Sequence, residues 1–142
     1  MIYTQLTKKA MKLSFAAHKD QVDKSGLPYV FHPFHLAEQM EDELTATVAL
    51  LHDVVEDSEY TFDDLRKMGF PDTVVDALAL MTHSKDTPYF TYIARLKENP
   101  LAKAVKIADL RHNSDLSRLE TVNQKALDRV EKYKKAMAIL EE

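Results

Sequence analysis

The sequence predicts an all-α protein, a compact bundle of seven or eight helices. Three observations carry that reading. Apolar residues recur three and four positions apart, as in Leu6, Ala10, Leu13 and Ala17. Threonine, asparagine and proline punctuate these runs where helices would begin. Only two glycines and five prolines occur in 142 residues, too little turn material for a fold built of hairpins.

The first helix should run from about Leu6 to about Lys19, and Gly26-Leu27-Pro28 breaks the pattern. A second opens near Pro33, whose fixed φ suits a first helical position. A third starts at Thr45 and continues through Val55. It is apolar on nearly every side, which places it in the centre of the bundle. Thr61-Phe62-Asp63-Asp64 resembles a capping arrangement, and Gly69 stops the short helix behind it. Pro71 opens the next helix, with Val74, Val75, Leu78 and Met81 inward. Thr87-Pro88 and Asn99-Pro100 are N-cap and proline pairs for two more. Thr121-Val122-Asn123-Gln124 reads as a capping box. It starts a charged C-terminal helix ending near Glu142, with Leu127, Val130, Met137 and Leu140 as its buried stripe. No strand is expected.

Length and charge narrow the function. With no repeat, linker or low-complexity tract, residues 1–142 read as one domain with room for a real core. Nineteen Lys and Arg against 23 Asp and Glu give a net charge of −4. That balance argues against holding nucleic acid through phosphate charge. Absence of cysteine removes disulfides, thiolate metal sites and a cysteine nucleophile together. No apolar run approaches the roughly 18–20 residues of a membrane span, and the N-terminus lacks the pattern of a signal peptide. A soluble, cytoplasmic protein is expected.

The residues able to do chemistry are unevenly placed. His52, Asp53, Glu56 and Asp57 follow the most apolar stretch of the chain. The third helix carries them at its end, where at about 3.6 residues per turn His52 stacks over Glu56 and Asp53 over Asp57, on adjoining faces. Three acids at a helix C-terminus oppose the macrodipole by about 0.3–1 kcal/mol each, so a compensating cation is wanted. Tyr29-Val30-Phe31-His32-Pro33 sets a histidine at a helix start, and Lys106-Ile107-Ala108-Asp109 sets an acid in an apolar register. His32, His52, Asp53 and Asp109 together would make a site of two imidazoles and two carboxylates. That donor set suits Mn, Fe, Co or Zn better than calcium. His18, His35, His83 and His112 read as surface or satisfied core histidines.

These residues resemble a known family. His32, His52-Asp53 and Asp109 match the order H…HD…D of the HD-domain metal phosphohydrolases. Leu51-His52-Asp53-Val54-Val55-Glu56-Asp57 is similar to the HDxxED form of the RelA/SpoT hydrolase domains and the stand-alone small alarmone hydrolases. Ala17-His18 through Gln21, Lys24-Ser25-Gly26, Pro28-Tyr29…His32-Pro33 and Lys106-Ile107-Ala108-Asp109…Asn113 look like that family's other segments, over roughly residues 4–120. The resemblance implies a compact helical HD-domain bundle and a metal, typically Mn²⁺, held by His32, His52, Asp53 and Asp109. It implies that Glu56 and Asp57 handle the attacking water, that Asn113 and Tyr29 lie against a nucleotide, and that Lys24, with Ser25 beside it, meets phosphate. The implied activity is removal of pyrophosphate from the 3′ position of guanosine tetra- and pentaphosphate. The sequence departs from the family where Val22 and Asp23 replace basic residues and Leu110 precedes Arg111. Lys85, Arg95 and Lys103 are the candidates to make up the missing charge.

The chemistry makes sense of such a set. A phosphate ester repels hydroxide, whereas a divalent ion neutralises charge and lowers the pKa of bound water toward about 7. A neighbouring carboxylate can then accept a proton. Two alternatives stay open. One is a metal-dependent phosphatase or nucleotidase for another nucleotide, such as a phosphorylated dinucleotide cofactor. The other is a nucleotide-binding HD module without turnover. The expected partner is a small nucleotide. The C-terminal helix could also cover a homodimer contact.

Overall fold

A computed structural model describes residues 1–142. Eight helices of six or more residues carry the fold: α1 (Gln5–His18), α2 (Phe31–Glu38), α3 (Glu43–Leu51), α5 (Phe62–Lys67), α6 (Asp72–Met81), α7 (Tyr89–Leu96), α8 (Pro100–Asn113) and α9 (Gln124–Glu141). A four-residue helix, α4 (Val54–Asp57), follows α3, and a single 3-10 turn spans Leu116–Arg118. The only β-type pairing is an isolated bridge between Val22 and Pro28. No helix is long and apolar enough to cross a membrane.

The helix starts are made by side chains that satisfy orphan backbone N–H groups. Thr4 and Thr7 form a reciprocal capping box on α1, and Thr61 and Asp64 form another on α5. Asp42 caps α3, Asn99 caps α8 and Asn123 caps α9. Four expected starts move. The second helix begins at Phe31, two residues ahead of Pro33, and the third at Glu43, two residues ahead of Thr45. α7 begins after Pro88 with no side-chain cap, so Thr87 is not its cap. At α9 the capping oxygen belongs to Asn123, not Thr121.

α3 lies at the centre, packed against α1, α2, α6 and α8. Every residue from Thr45 to Leu51 is buried, as its unbroken apolar sequence requires. The two hydroxyls in this run are both satisfied, Thr45 donating to Asp42 Oδ1 (2.9 Å) and Thr47 to the Glu43 carbonyl (2.8 Å). Leu50, Leu51, Leu78, Ile93, Leu96 and Leu110 belong to one contiguous core of 25 residues.

Two expectations need correction. The third helix does not run through Val55. It ends at Leu51 because His52 Nδ1–H donates to the Ala49 carbonyl (2.7 Å), the acceptor that the Asp53 N–H would use in a continuing helix. The chain turns at His52-Asp53 before α4 resumes. The buried stripe of α9 is also rotated by about one position. Ala126, Ala136 and Leu140 are buried, Val130 and Met137 are only partly so, and Leu127 is 43% exposed.

Candidate active site

Three separate elements deliver the polar residues to one buried place. The first turn of α2 brings His32. The break between α3 and α4 brings His52 and Asp53. The second half of α8 brings Asp109, with Lys106 and Asn113 on the same face three and four residues away. One donor atom each from His32, His52 and Asp109 lies within 4.8 Å of the others. His32 Nε2 is 2.8 Å from Asp109 Oδ1, and His52 Nε2 is 2.9 Å from Asp53 Oδ2 and 3.6 Å from Asp109 Oδ1.

The donor chemistry fits a cation. A carbonyl can only accept, so His52 carries its proton on Nδ1 toward Ala49, and in the neutral ring Nε2 presents a lone pair. That buried nitrogen has no aligned hydrogen-bond partner, yet it faces two carboxylates. Lone pair against carboxylate is repulsive unless a proton or a metal ion lies between them. Burial disfavours a charge on His52, but Asp53 and Asp109 outweigh it and hold its pKa well above the ordinary value. Burial also works against the Asp53 carboxylate, and the adjacent His52 nevertheless pulls its pKa down to about 2. Asp109 is buried too, and Lys106, His32 and His52 keep it ionised. A buried His/His/Asp group with a second carboxylate touching it could hold a divalent ion.

Neighbouring groups fix these side chains. Lys106 Nζ donates to Asp109 Oδ2 (2.9 Å), and Asn113 Nδ2 donates to Oδ1 (3.0 Å). Asp109 therefore turns Oδ1 toward the histidines and gives Oδ2 to the lysine. Lys106 also lies over the Tyr92 ring, 5.5 Å from its centroid. The Tyr29 hydroxyl donates to Asp53 Oδ2. Burial and the Asp53 charge push the Tyr29 pKa upward, so the hydroxyl keeps its proton and its donor role.

Glu56 and Asp57 occupy α4, beyond the break. Glu56 Oε1 accepts from the His83 backbone N–H (2.9 Å). The Asp57 carbonyl accepts from Gln21 Nε2 (2.8 Å), and Gln21 Oε1 in turn accepts from His18 Nδ1 (2.8 Å). Burial raises the pKa of both carboxyls, and the charge of Asp53 adds to it.

A cleft of about 370 Å³ opens beside this centre and shares Tyr29 and Asn113 with it. Its lining includes Lys24, Ser25, Tyr29 and Asn113 from the sequence reading, and also Arg118, Arg129 and Tyr133. The extra cations are therefore Arg118 and Arg129; Lys85, Arg95 and Lys103 do not line it. Burial and the nearby Arg129 charge lower the Lys24 pKa, the mark of a place that favours an anion. The segment around Lys24 is held by Asp23, whose Oδ1 accepts from the N–H groups of Ser25 (2.8 Å) and Leu27 (3.0 Å). Gly26 takes φ +79° to close that turn. Ser25 Oγ donates to the Arg118 carbonyl (2.7 Å), so its hydroxyl latches the two walls together.

Sequence reasoning missed Arg118, Arg129, Tyr133, Lys106 and His112. Of these, Lys106 and His112 carried a signal, being three residues either side of Asp109. His112 is not a bland histidine, since its Nδ1 is 2.7 Å from Nδ1 of His32.

No protein-family model matches the chain. A GTP pyrophosphokinase of Streptomyces coelicolor is 34% identical over 88% of this chain, which spans only 16% of that protein. The guanosine-3′,5′-bis(diphosphate) 3′-pyrophosphohydrolase MESH1 of Danio rerio is 34% identical over 85% of this chain and 75% of its own length. The chain belongs to the RelA/SpoT-like HD-domain hydrolase family. Its fold agrees: the solved structure of a metazoan ortholog of SpoT that hydrolyses ppGpp superposes with a TM-score of 0.77. That match has 25% identity and covers 99% of this chain and 88% of the other. In this chain the break after α3 carries His52-Asp53 and α8 carries Asp109.

Proposed function

We propose that this chain is a cytoplasmic, single-domain, Mn²⁺-dependent pyrophosphohydrolase acting on guanosine 3′,5′-bis(diphosphate). The observation that carries the reading is the meeting of His32, His52 and Asp109, with Asp53 in contact, at the edge of a cleft bearing Lys24, Arg118 and Arg129. The activity of the MESH1 relatives and of the structural neighbour supports it. His32, His52, Asp53 and Asp109 would hold the ion, which would supply positive charge against the phosphate and acidity to a water molecule. Glu56 and Asp57 hold the attacking water and take its proton; their raised pKa values make them better bases than ordinary carboxylates. The water oxygen bonds to the phosphorus attached to the 3′ oxygen, the bond to that oxygen breaks, pyrophosphate leaves and the 3′ oxygen takes up a proton. Lys24, Arg118 and Arg129 balance the charge of the phosphates, and Tyr133 offers a ring face to a base. Asn113, bonded to Asp109 and facing the cleft, spans centre and nucleotide.

The test is hydrolysis of guanosine tetraphosphate with Mn²⁺, products resolved by ion exchange. Pyrophosphate release by the wild type and none by His52→Ala is expected. Equal release by both would sink the assignment. A second reading, a phosphatase for a less charged nucleotide, is favoured by one observation. Asp23 Oδ2 lies 3.9 Å from Arg118 in the same cleft and offsets part of its charge. A nucleotide panel ranked by kcat/KM separates the two.

A further inference from the structure

We infer that His112 is a positioning residue for the metal centre: its bare Nδ1 accepts the Nδ1 proton of His32 and so keeps His32 Nε2 free to ligate. The inference rests on the metal reading above and adds to it a residue outside the H…HD…D set.

Two imidazole nitrogens 2.7 Å apart form a hydrogen bond only if one carries a proton and the other a lone pair. Their ring centroids are 5.0 Å apart and their planes differ by 4°. The 2.7 Å between nitrogens plus the two ring radii account for that whole separation, so the rings lie edge to edge in nearly one plane. An imidazole lone pair and an imidazole N–H both lie in the ring plane, so this is the alignment an N–H···N bond requires. Two proton placements satisfy it. If His112 donated, His32 would carry its proton on Nε2, give it to Asp109 Oδ1 at 2.8 Å, and have no lone pair for a metal. If His32 donates, Nε2 is bare and faces the centre beside Asp109 and His52. Only the second placement is compatible with ligation, and it requires a neutral His112 with its own proton on Nε2.

The surroundings hold His112 in that role. The His35 ring stacks on it, 4.0 Å between centroids and 28° between planes. Arg118 Nη1 donates to the His112 carbonyl (2.8 Å), fixing the backbone beneath the ring. The choice of acceptor has a consequence for charge. Ligating histidines usually give their second N–H to a carboxylate, a carbonyl or water. A neutral imidazole orients the ligand without adding a negative charge to a centre that already has Asp53 and Asp109.

Calorimetry with MnCl₂ on the full chain tests this, with circular dichroism confirming the fold of each variant. His112→Phe keeps a ring under His35 but has no acceptor, and its dissociation constant for Mn²⁺ should rise about 10–100-fold. His112→Asn places an amide oxygen near the position of Nδ1 and should bind within about threefold of wild type, because that oxygen can only accept. Wild-type affinity in the folded Phe variant overturns the inference, and so does an Asn variant no better than Phe. A second readout needs no variant. In wild type loaded with diamagnetic Zn²⁺, the ¹H–¹⁵N spectrum of labelled histidine should show the His32 proton on Nδ1. A proton on Nε2 overturns the inference by itself. If the wild type takes up neither ion, the metal reading falls first and this one with it.

Discussion

Replacing Lys106 by methionine tests how the centre is balanced. Lys106 Nζ is 2.9 Å from Asp109 Oδ2, and the two side chains are only 15% and 8% exposed. Removing one partner of a buried pair costs about 3–5 kcal/mol, because the other charge is left uncompensated. Asp109 retains the Asn113 amide donor, which favours the lower end, about 3 kcal/mol. For a domain of this size that corresponds to a Tm lower by about 10 °C in EDTA. A divalent ion supplies the missing positive charge, so Mn²⁺ should raise the Tm of Lys106→Met by more than it raises the wild type. The pH dependence has a definite sign. Burial works to raise the Asp109 pKa, but Lys106 and the histidines hold it well below the carboxylate range. Its contribution is therefore present above the ordinary carboxylate pKa and is lost as pH falls toward the folded value. Without Lys106 the folded pKa rises, and acid unfolding should begin at higher pH. Thermal melts with and without Mn²⁺ across pH 4–8 measure all three. A variant as stable as wild type in EDTA, or one that gains no more from Mn²⁺ than wild type does, refutes the reasoning.

Three further outcomes are expected. Glu56→Gln and Asp57→Asn should each lower kcat by about 10²–10⁴-fold. Burial raises both pKa values, so the fold disfavours their charged forms at neutral pH, and Tm should hold or rise on neutralisation. In the wild type the same shifts place the acid limb of kcat/KM above the ordinary carboxylate range of about 4; a limb at or below it contradicts the assignment. Lys24→Met and Arg129→Met should each raise KM for guanosine tetraphosphate about 10–100-fold, the loss of one charge-assisted contact, with Mn²⁺ affinity unchanged; an unaltered KM removes both residues from the substrate site. Gly69→Ala should cost about 1–2 kcal/mol in urea denaturation, since Gly69 has φ +91° and an added Cβ would lie 2.9 Å from Lys9 Nζ; an unchanged midpoint contradicts this.

Much of the fold was legible because its signals are local. Caps at Thr61, Asn99 and the start of α9 depend on side chains within three residues of the N–H groups they satisfy. The burial of α3 follows from a run with no polar face to turn toward water. The residues that meet at the centre were also nameable from the order of His32, His52-Asp53 and Asp109, since few residue types bind a divalent ion.

What the sequence left open depends on contacts between distant segments. Helical periodicity shows that α9 has an apolar stripe but sets its phase only loosely, because neighbouring positions differ by about 100°. Packing against α7 and α8 chose the phase. The rotation that exposes Leu127 also places Ala126, Arg129 and Tyr133 along the cleft. The break after Leu51 belongs to the same class, since His52 competes for a carbonyl only when its ring is held inward over α3. His112 shows the limit most plainly. Its spacing from Asp109 is local, but its in-plane contact with His32, eighty residues earlier in the chain, exists only once α2 and α8 have packed side by side.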